Sequence, residues 1–117
     1  MRILVVEDDM MTALDLAEML RDIGATVVGP VGRLKQAWAL ANRDQLDGAV
    51  LDVQLDGDTT LDLAMDLLRR GVPVVFATAF DKQSLPAQLA EVPRLAKPLD
   101  TEMVHWVTDR TFHHMKA

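Results

Sequence analysis

The feature of this sequence that most constrains its fold is the regular alternation of two kinds of segment. Five short runs are rich in valine and other apolar residues, and longer segments with helical spacing separate them. The first four runs show no polar alternation, which is typical of parallel strands buried on both faces. The five runs are Ile3–Val6, Thr26–Val28, Ala49–Leu51, Val72–Phe76 and Val92–Ala96.

The segments between these runs have the pattern of amphipathic helices, with apolar residues recurring every three or four positions. The predicted helices are Met10–Ile23, Leu34–Ala41, Thr59–Arg70 and Leu99–Met115. Because strands and helices alternate along the whole chain, we predict a single α/β domain over residues 1–117. Its five-stranded parallel sheet would be doubly wound, with helices on both faces.

The connection between the fourth and fifth strands is predicted to be the least regular part of the fold. Pro86 disfavours helical geometry at Leu85. A helix in this segment would therefore begin near Pro86 and end before Pro93. We expect it to be short or irregular.

Two of the predicted helices follow residues that favour helix N-caps. Asp58 or Thr59 is expected to cap the third predicted helix, and Asp100 or Thr101 the fourth. Such side chains accept hydrogen bonds from the backbone N–H groups that the first helical turn leaves unpaired.

Composition limits the possible functions. The 117 residues carry a formal net charge of −6, which repels polyphosphate, so direct binding of nucleic acid is not expected. The absence of cysteine excludes disulfides and thiolate chemistry. No apolar stretch approaches the roughly 20 residues that span a bilayer. The first apolar run is too short for a signal peptide and ends in acids, so we expect a cytoplasmic protein with no membrane partner.

Ionisable and polar residues stand at the carboxyl ends of four predicted strands. The acidic run Glu7–Asp9 follows the first strand, Asp52 the third, Thr78 the fourth and Lys97 the fifth. Ligands of open α/β sheets bind at these ends, where the strand order reverses. The sequence therefore predicts that carboxylates, a hydroxyl and an ammonium group share one crevice.

This set of groups suits phosphoryl transfer to an aspartate. Clustered carboxylates repel one another unless a cation neutralises them, and Mg²⁺ binds carboxylates together with phosphate oxygens. Asp52 would stay ionised as the nucleophile, while Thr78 and Lys97 would hold the phosphoryl oxygens. A single aspartate after a strand is usually a turn or cap residue. The combination of these groups favours a functional site.

Over its whole length, the chain resembles the response-regulator receiver domain of two-component signalling. The signature residues are Glu7, Asp8, Asp52, Thr78 and the pair Lys97–Pro98. The resemblance implies a flavodoxin-like (βα)5 fold. It also implies a peptide bond before Pro98 that is often cis.

The same resemblance implies how the site works. Mg²⁺ would be held by Asp8, Asp52 and the main-chain carbonyl of Gln54, with Glu7 acting largely through water. Asp52 would accept the phosphoryl group from a histidine kinase or a histidine phosphotransfer protein. The domain would catalyse only its own phosphorylation and dephosphorylation. If the chain is complete, the signal would leave through an unidentified downstream protein or a phosphorelay, and otherwise the chain is part of a longer regulator.

Three positions depart from the common pattern of this family. Asp56 stands where receivers commonly have proline, and Arg94 where they commonly have a rotating tyrosine or phenylalanine. Because Arg94 replaces that aromatic residue, we expect any switch to work in another way. Ala79 replaces the glycine of a Phe-Ala-Thr-Gly run that marks a subgroup of stand-alone receivers.

Three apolar residues near the acidic end of the first helix, Met10, Met11 and Leu14, lie partly off its core stripe. They could form a docking surface for the phospho-histidine donor, since methionine suits adaptable surfaces. They could equally pack on the sheet.

Three other interpretations of the chain remain open. A receiver-like scaffold would bind partners without phosphorylation, which Asp56 and Arg94 allow. A hydrolase of the haloacid dehalogenase type also uses an aspartate nucleophile, but Gln54 stands where its second aspartate belongs and the chain has no room for a cap domain. A flavin-binding module would need a phosphate loop after the first strand, where the acids would repel the phosphate.

Overall fold

The fold is described from a computed structural model, which covers residues 1–79 and 85–113. Numbered along the chain, the strands of the main sheet are β1 (Arg2–Val6), β2 (Thr26–Val31), β3 (Gly48–Asp52), β6 (Val74–Thr78) and β7 (Arg94–Ala96). They are parallel, in the spatial order β2-β1-β3-β6-β7. Strands β4 (Gln54–Leu55) and β5 (Asp58–Thr59) form a small antiparallel hairpin. The predicted five-stranded parallel sheet is confirmed.

The helices cover both faces of the sheet. Their bounds are α1 (Met10–Asp22), α2 (Leu34–Arg43), α3 (Leu61–Arg69) and α4 (Thr101–Thr108), which a π-helical turn continues over Asp109–His113. Helices α2 and α3 share one buried hydrophobic cluster with the sheet, and α1 and α4 share the other. The doubly wound arrangement is therefore confirmed. Within the described residues, none of the helices has the length and apolar character that crossing a membrane requires.

Strand β1 is the point at which the winding of the chain reverses, since it lies between β2 and β3. Val6, the last residue of β1, pairs with Val31 on one side and Leu51 on the other. Asp52, the last residue of β3, pairs with Ala77 of β6. The carboxyl ends of β1, β3 and β6 thus lie side by side, and the residues that follow them share one crevice.

The start of α3 differs from the prediction. Asp58 and Thr59 do not cap this helix, because they form β5 and pair with β4. Helix α3 begins at Leu61, and Thr60 before it makes no side-chain hydrogen bond to the helix. The Thr60 hydroxyl instead donates to the main-chain oxygen of Asp52 at 2.7 Å. The predicted cap is wrong because pairing in the hairpin and this tertiary hydrogen bond both take precedence over capping.

Two other local predictions are confirmed. Asp100 caps α4, since its carboxylate accepts a hydrogen bond from the N–H of Met103 at 3.1 Å. Between Pro86 and Pro93 the chain forms only a short 3-10 helix, Ala87–Leu89. Proline at both ends of this segment leaves little room for a longer helix.

Phe112, in the π-helical turn, anchors the end of the described chain to the sheet. Its side chain is fully buried in the cluster that α1 and α4 share. Gly48, the first residue of β3, leaves room for the ring, because a Cβ atom at this position would lie 2.6 Å from two ring carbons. The contact between Gly48 and Phe112 thus joins the last turn to the centre of the sheet.

Candidate functional site

Three carboxylates meet at the ends of β1 and β3. Glu7 and Asp8 follow β1 directly and Asp52 ends β3, so no intervening loop separates these acids from the sheet edge. One oxygen from each carboxylate lies within 4.8 Å of the other two. Glu7 and Asp52 are only 3% and 8% exposed, whereas Asp8 is exposed. The site therefore has a buried floor of two acids and a third acid at its rim.

Lys97, in the loop after β7, neutralises part of this charge. Its Nζ lies 3.0 Å from Oδ2 of Asp52 and forms an ion pair with Oε1 of Glu7. Its main-chain N–H donates to the main-chain carbonyl oxygen of Thr78 at 3.0 Å, and this hydrogen bond joins the loop to the end of β6. The Lys97–Pro98 peptide bond is cis, as the resemblance implied. One ammonium group thus contacts both buried acids.

The other two predicted site residues border the same crevice. Thr78 is buried and ends β6, the strand that pairs with β3. The main-chain N–H of Gln54 donates to Oδ1 of Asp52 at 3.3 Å, while the Gln54 side chain is exposed. All six residues that the sequence indicated lie at this one edge of the sheet, and they are Glu7, Asp8, Asp52, Gln54, Thr78 and Lys97.

Burial and charge act on the pKa values of the buried groups. Burial raises the pKa of Glu7, and the charge of Asp52 adds to the rise, although the hydrogen bond from Lys97 opposes it. Burial alone would lower the pKa of Lys97. Its hydrogen bonds and charge interactions with Glu7 and Asp52 outweigh that effect and raise the pKa. Lys97 is therefore a cation throughout the neutral range, and its charge is fixed between the two acids.

Asp8 is held by a contact that sequence reasoning missed. The main-chain N–H of Asp56, in the turn of the β4–β5 hairpin, donates to Oδ2 of Asp8 at 3.1 Å. This hydrogen bond is the largest cause of a lowered pKa at Asp8. The Asp56-Gly57 dipeptide is a turn signal in the sequence, but nothing local indicates which residue the turn contacts.

The raised pKa of Lys97 predicts a loss of stability at alkaline pH. The folded chain holds this proton more tightly than the unfolded chain does. The stabilisation is therefore complete below the ordinary value of 10.5 and is lost as pH rises through the raised value. In metal-free buffer, we expect the free energy of unfolding, measured with urea, to fall less steeply above pH 10.5 in Lys97→Met than in the wild type.

The control for this measurement is Lys35→Met, which removes an exposed lysine of α2 and should keep the wild-type pH dependence. The chain contains no tyrosine or cysteine, so these residues add no titration in the same range. Equal slopes for Lys97→Met and the wild type would contradict the prediction.

The strand order defines a doubly wound α/β domain. The acid cluster and Lys97 lie at the ends of β1 and β3, where the strand order reverses. The sequence matches the response regulator receiver domain family over residues 3–105. The chain belongs to that family.

Known relatives match this chain in sequence or in fold. The phyllosphere-induced regulator PhyR of Methylorubrum extorquens is 36% identical over 98% of this chain and 45% of PhyR. The solution structure of SdrG from Sphingomonas melonis Fr1 is 30% identical with a TM-score of 0.81, over 99% of this chain and 96% of SdrG. The receiver domain of sensor histidine kinase PA1611 from Pseudomonas aeruginosa PAO1, with a magnesium ion coordinated in its active-site cleft, is 25% identical with a TM-score of 0.81, over 96% and 97% of the two chains. The chain spans about half the length of the curated relatives it matches.

Membership in this family makes the chain a signalling module of two-component systems. The family is that of response-regulator receiver domains, and PhyR, one of the curated relatives, is itself a regulator. The hydrolase and flavin-binding interpretations are set aside, because both belong to other families.

Proposed function

We propose that this chain is a phosphorylation-dependent switch, in which Asp52 accepts a phosphoryl group from a phospho-histidine donor with the help of Mg²⁺. The observation that carries the proposal is the position of the Asp52 carboxylate. It is nearly buried at the reversal point of the sheet, 3.0 Å from the ammonium group of Lys97 and beside the carboxylates of Glu7 and Asp8. A merely structural aspartate would not need this arrangement. We propose residues 1–117 as one receiver domain.

The donor set fits a hard divalent cation. Three carboxylates with an oxygen each within 4.8 Å of the others carry more negative charge than Lys97 alone offsets. Mg²⁺ prefers oxygen ligands and typically takes one or two carboxylates together with phosphate oxygens. In the proposed site, Asp8, Asp52 and the main-chain carbonyl of Gln54 would hold it, and Glu7 would act through water. When bound, Mg²⁺ neutralises charge on the phosphoryl oxygens.

The residues of the chain itself divide the remaining work. One oxygen of Asp52 attacks the phosphorus, the bond from phosphorus to the donor imidazole nitrogen breaks, and its electron pair stays on that nitrogen. Lys97 is already fixed between two acids, so it can stabilise charge on the phosphoryl oxygens without reorganisation. Thr78, at the neighbouring strand end, would donate its hydroxyl hydrogen to a phosphoryl oxygen. Hydrolysis of the acyl phosphate would return Asp52 and release phosphate.

The test of the proposal uses a small phosphoryl donor. Incubation with acetyl phosphate and MgCl₂ should add the mass of one phosphoryl group to the intact wild-type chain. Peptide mapping after borohydride reduction should place it on Asp52. Omission of Mg²⁺ should remove the added mass. A chain that stays unmodified with both acetyl phosphate and a cognate histidine kinase would instead support the scaffold interpretation.

Replacement of Lys97 by methionine is expected to slow phosphorylation greatly while leaving Asp52 in place. Loss of one preorganised charge-stabilising group typically costs roughly 100- to 1,000-fold in rate. The initial rate of acyl-phosphate formation from acetyl phosphate measures this loss. Lys35→Met should match the wild type, and a Lys97→Met rate close to the wild-type rate would argue against a role for the lysine in transfer.

The start of α1 offers a surface for the phosphoryl donor. Met10 and Met11 are each 73% exposed and Leu14 is 54% exposed, so these side chains do not pack on the sheet. Helix α1 begins at Met10, directly after Asp8 and Asp9, so its first turns place an apolar surface near the rim of the site. We propose that the donor, a histidine kinase or histidine phosphotransfer protein, docks there, since methionine adapts to helical partners.

A double substitution separates docking from chemistry. Met10→Gln combined with Met11→Gln keeps side-chain length and helix propensity but removes apolar surface. We expect transfer from a phospho-histidine donor protein to slow by about tenfold, the effect of losing a modest interface contact. Phosphorylation by acetyl phosphate should be unchanged. Met103→Gln, on exposed surface of α4, is the control, and equal losses in both variants would rule out docking on α1.

A further inference from the structure

We infer that the main-chain N–H of Asp56 is a positioning group that holds Asp8 in place for Mg²⁺. This inference rests on the proposed function, because it assigns Asp8 the role of a metal ligand. Asp56 nitrogen lies 3.1 Å from Oδ2 of Asp8, although 48 positions separate the two residues in sequence. The β4–β5 hairpin, which lies between β3 and α3, would thus restrain the Asp8 carboxylate at the rim of the site.

Of the three site acids, Asp8 is the one whose carboxylate is least restrained by burial. Glu7 and Asp52 are buried, and both contact the ammonium group of Lys97. Asp8 is exposed, so its carboxylate would otherwise sample several rotamers in water. A hydrogen bond to Oδ2 restrains the carboxylate and leaves Oδ1 available as a ligand. Groups that orient a metal ligand in this way typically contribute 10- to 100-fold to metal affinity, as an order of magnitude.

The geometry of the turn allows this donor to be removed cleanly. Leu55 pairs with Asp58, so Asp56 and Gly57 are the two central residues of the turn. Gly57 has φ +89°, and no described residue other than glycine has a positive φ. A negative φ followed by a positive one is the arrangement of a type II turn, which favours proline at the first central position. Leu55, in extended β4, also has the geometry that a following proline requires.

Proline at position 56 would therefore keep the turn but supply no N–H. The proline that receivers commonly have at this position cannot make the contact, whereas the aspartate of this chain can. Asp56 also brings an exposed negative charge near the site. Asp56→Ala removes that charge and retains the N–H, so the pair Asp56→Pro and Asp56→Ala separates the two contributions.

The experiment titrates MgCl₂ into the wild type, Asp56→Pro, Asp56→Ala and Asp8→Asn by isothermal calorimetry. Asp56→Pro is expected to weaken the affinity by about tenfold or more. Asp56→Ala should show a smaller loss that added salt screens. Equal affinity of Asp56→Pro and the wild type would overturn the inference. Equal losses in Asp56→Pro and Asp56→Ala would also overturn it, because the side-chain charge would then account for the effect.

A second measurement needs no metal and no proline variant. The amide proton of Asp56 should exchange slowly with solvent in metal-free wild type and faster in Asp8→Ala, with the hairpin amides elsewhere unchanged. Fast exchange in both would overturn the inference even if Asp56→Pro failed to fold. If the wild type binds Mg²⁺ but Asp52 is never phosphorylated, the proposed function is contradicted and the inference on Asp56 is not. A wild type that binds no Mg²⁺ would overturn both.

Discussion

Asp52→Asn is expected to abolish incorporation of a phosphoryl group from both acetyl phosphate and a phospho-histidine donor. The amide of asparagine lacks the anionic oxygen that attacks phosphorus, and it cannot form the acyl phosphate. The substitution preserves shape, and Lys97 keeps its ion pair with Glu7. The main-chain oxygen of Asp52, which accepts the Thr60 hydroxyl, is also unaffected. The loss should therefore be chemical and not a consequence of unfolding.

Intact-mass spectrometry measures this loss, and circular dichroism shows whether the variant remains folded. Asp58→Asn is the matched control, because Asp58 is an exposed acid of the adjacent hairpin. The control should incorporate the phosphoryl group as the wild type does. Undiminished labelling of folded Asp52→Asn would show that another residue is the acceptor.

Phe112→Ala is expected to destabilise the fold by about 3–5 kcal/mol, the usual cost of truncating a buried phenylalanine. The Phe112 ring is fully buried between the last turn and the start of β3. Domains of this size are stable by only about 5–15 kcal/mol. The variant should therefore unfold at a much lower urea concentration.

Two further variants test whether the loss of stability is specific to the Phe112 ring. Trp106→Ala removes an aromatic ring of α4 that is 58% exposed and lies 4.8 Å from the Arg110 guanidinium carbon. Its cost should be about 1 kcal/mol or less, the range of exposed cation–π contacts. Gly48→Ala should also destabilise the wild type, since the added Cβ would meet the Phe112 ring.

Gly48→Ala should lower the free energy of unfolding much less in the Phe112→Ala background, where the ring is absent. The two substitutions would then couple favourably in a double-mutant cycle, by roughly 0.5–3 kcal/mol. Additive effects of Gly48→Ala and Phe112→Ala would show that the ring does not pack against β3 as described. A loss for Phe112→Ala no greater than that for Trp106→Ala would lead to the same conclusion.

The departures at Asp56 and Arg94 have different structural consequences. Asp56 adds a backbone donor that contacts the site directly. Arg94 is half-buried, begins β7 and pairs with Phe76 of β6. It therefore stands two residues before Ala96, which pairs with Thr78. A half-buried charged side chain, and not an aromatic one, therefore stands beside the strand that carries Thr78.

The parallel sheet and the position of the acids follow from the amino-acid pattern. A buried parallel strand is a continuous apolar run, and such a run ends where a charged residue first appears. Glu7 and Asp52 therefore mark the ends of β1 and β3 within the sequence itself. Once the alternation of strands and helices predicts a doubly wound sheet, the reversal of strand order brings those ends together. This is why the proximity of these acids could be predicted from the sequence.

The contacts between groups within that site depend on how the folded chain packs. The N–H of Asp56 reaches Asp8 across 48 positions of the chain, and the Thr60 hydroxyl bonds Asp52 instead of capping α3. The ammonium group of Lys97 forms ion pairs with both Asp52 and Glu7. These contacts depend on the register of a two-residue hairpin and on the geometry of a loop. Hydrophobic periodicity carries no information on either, because contacts between residues distant in sequence form only when the packed sheet places them within hydrogen-bond distance.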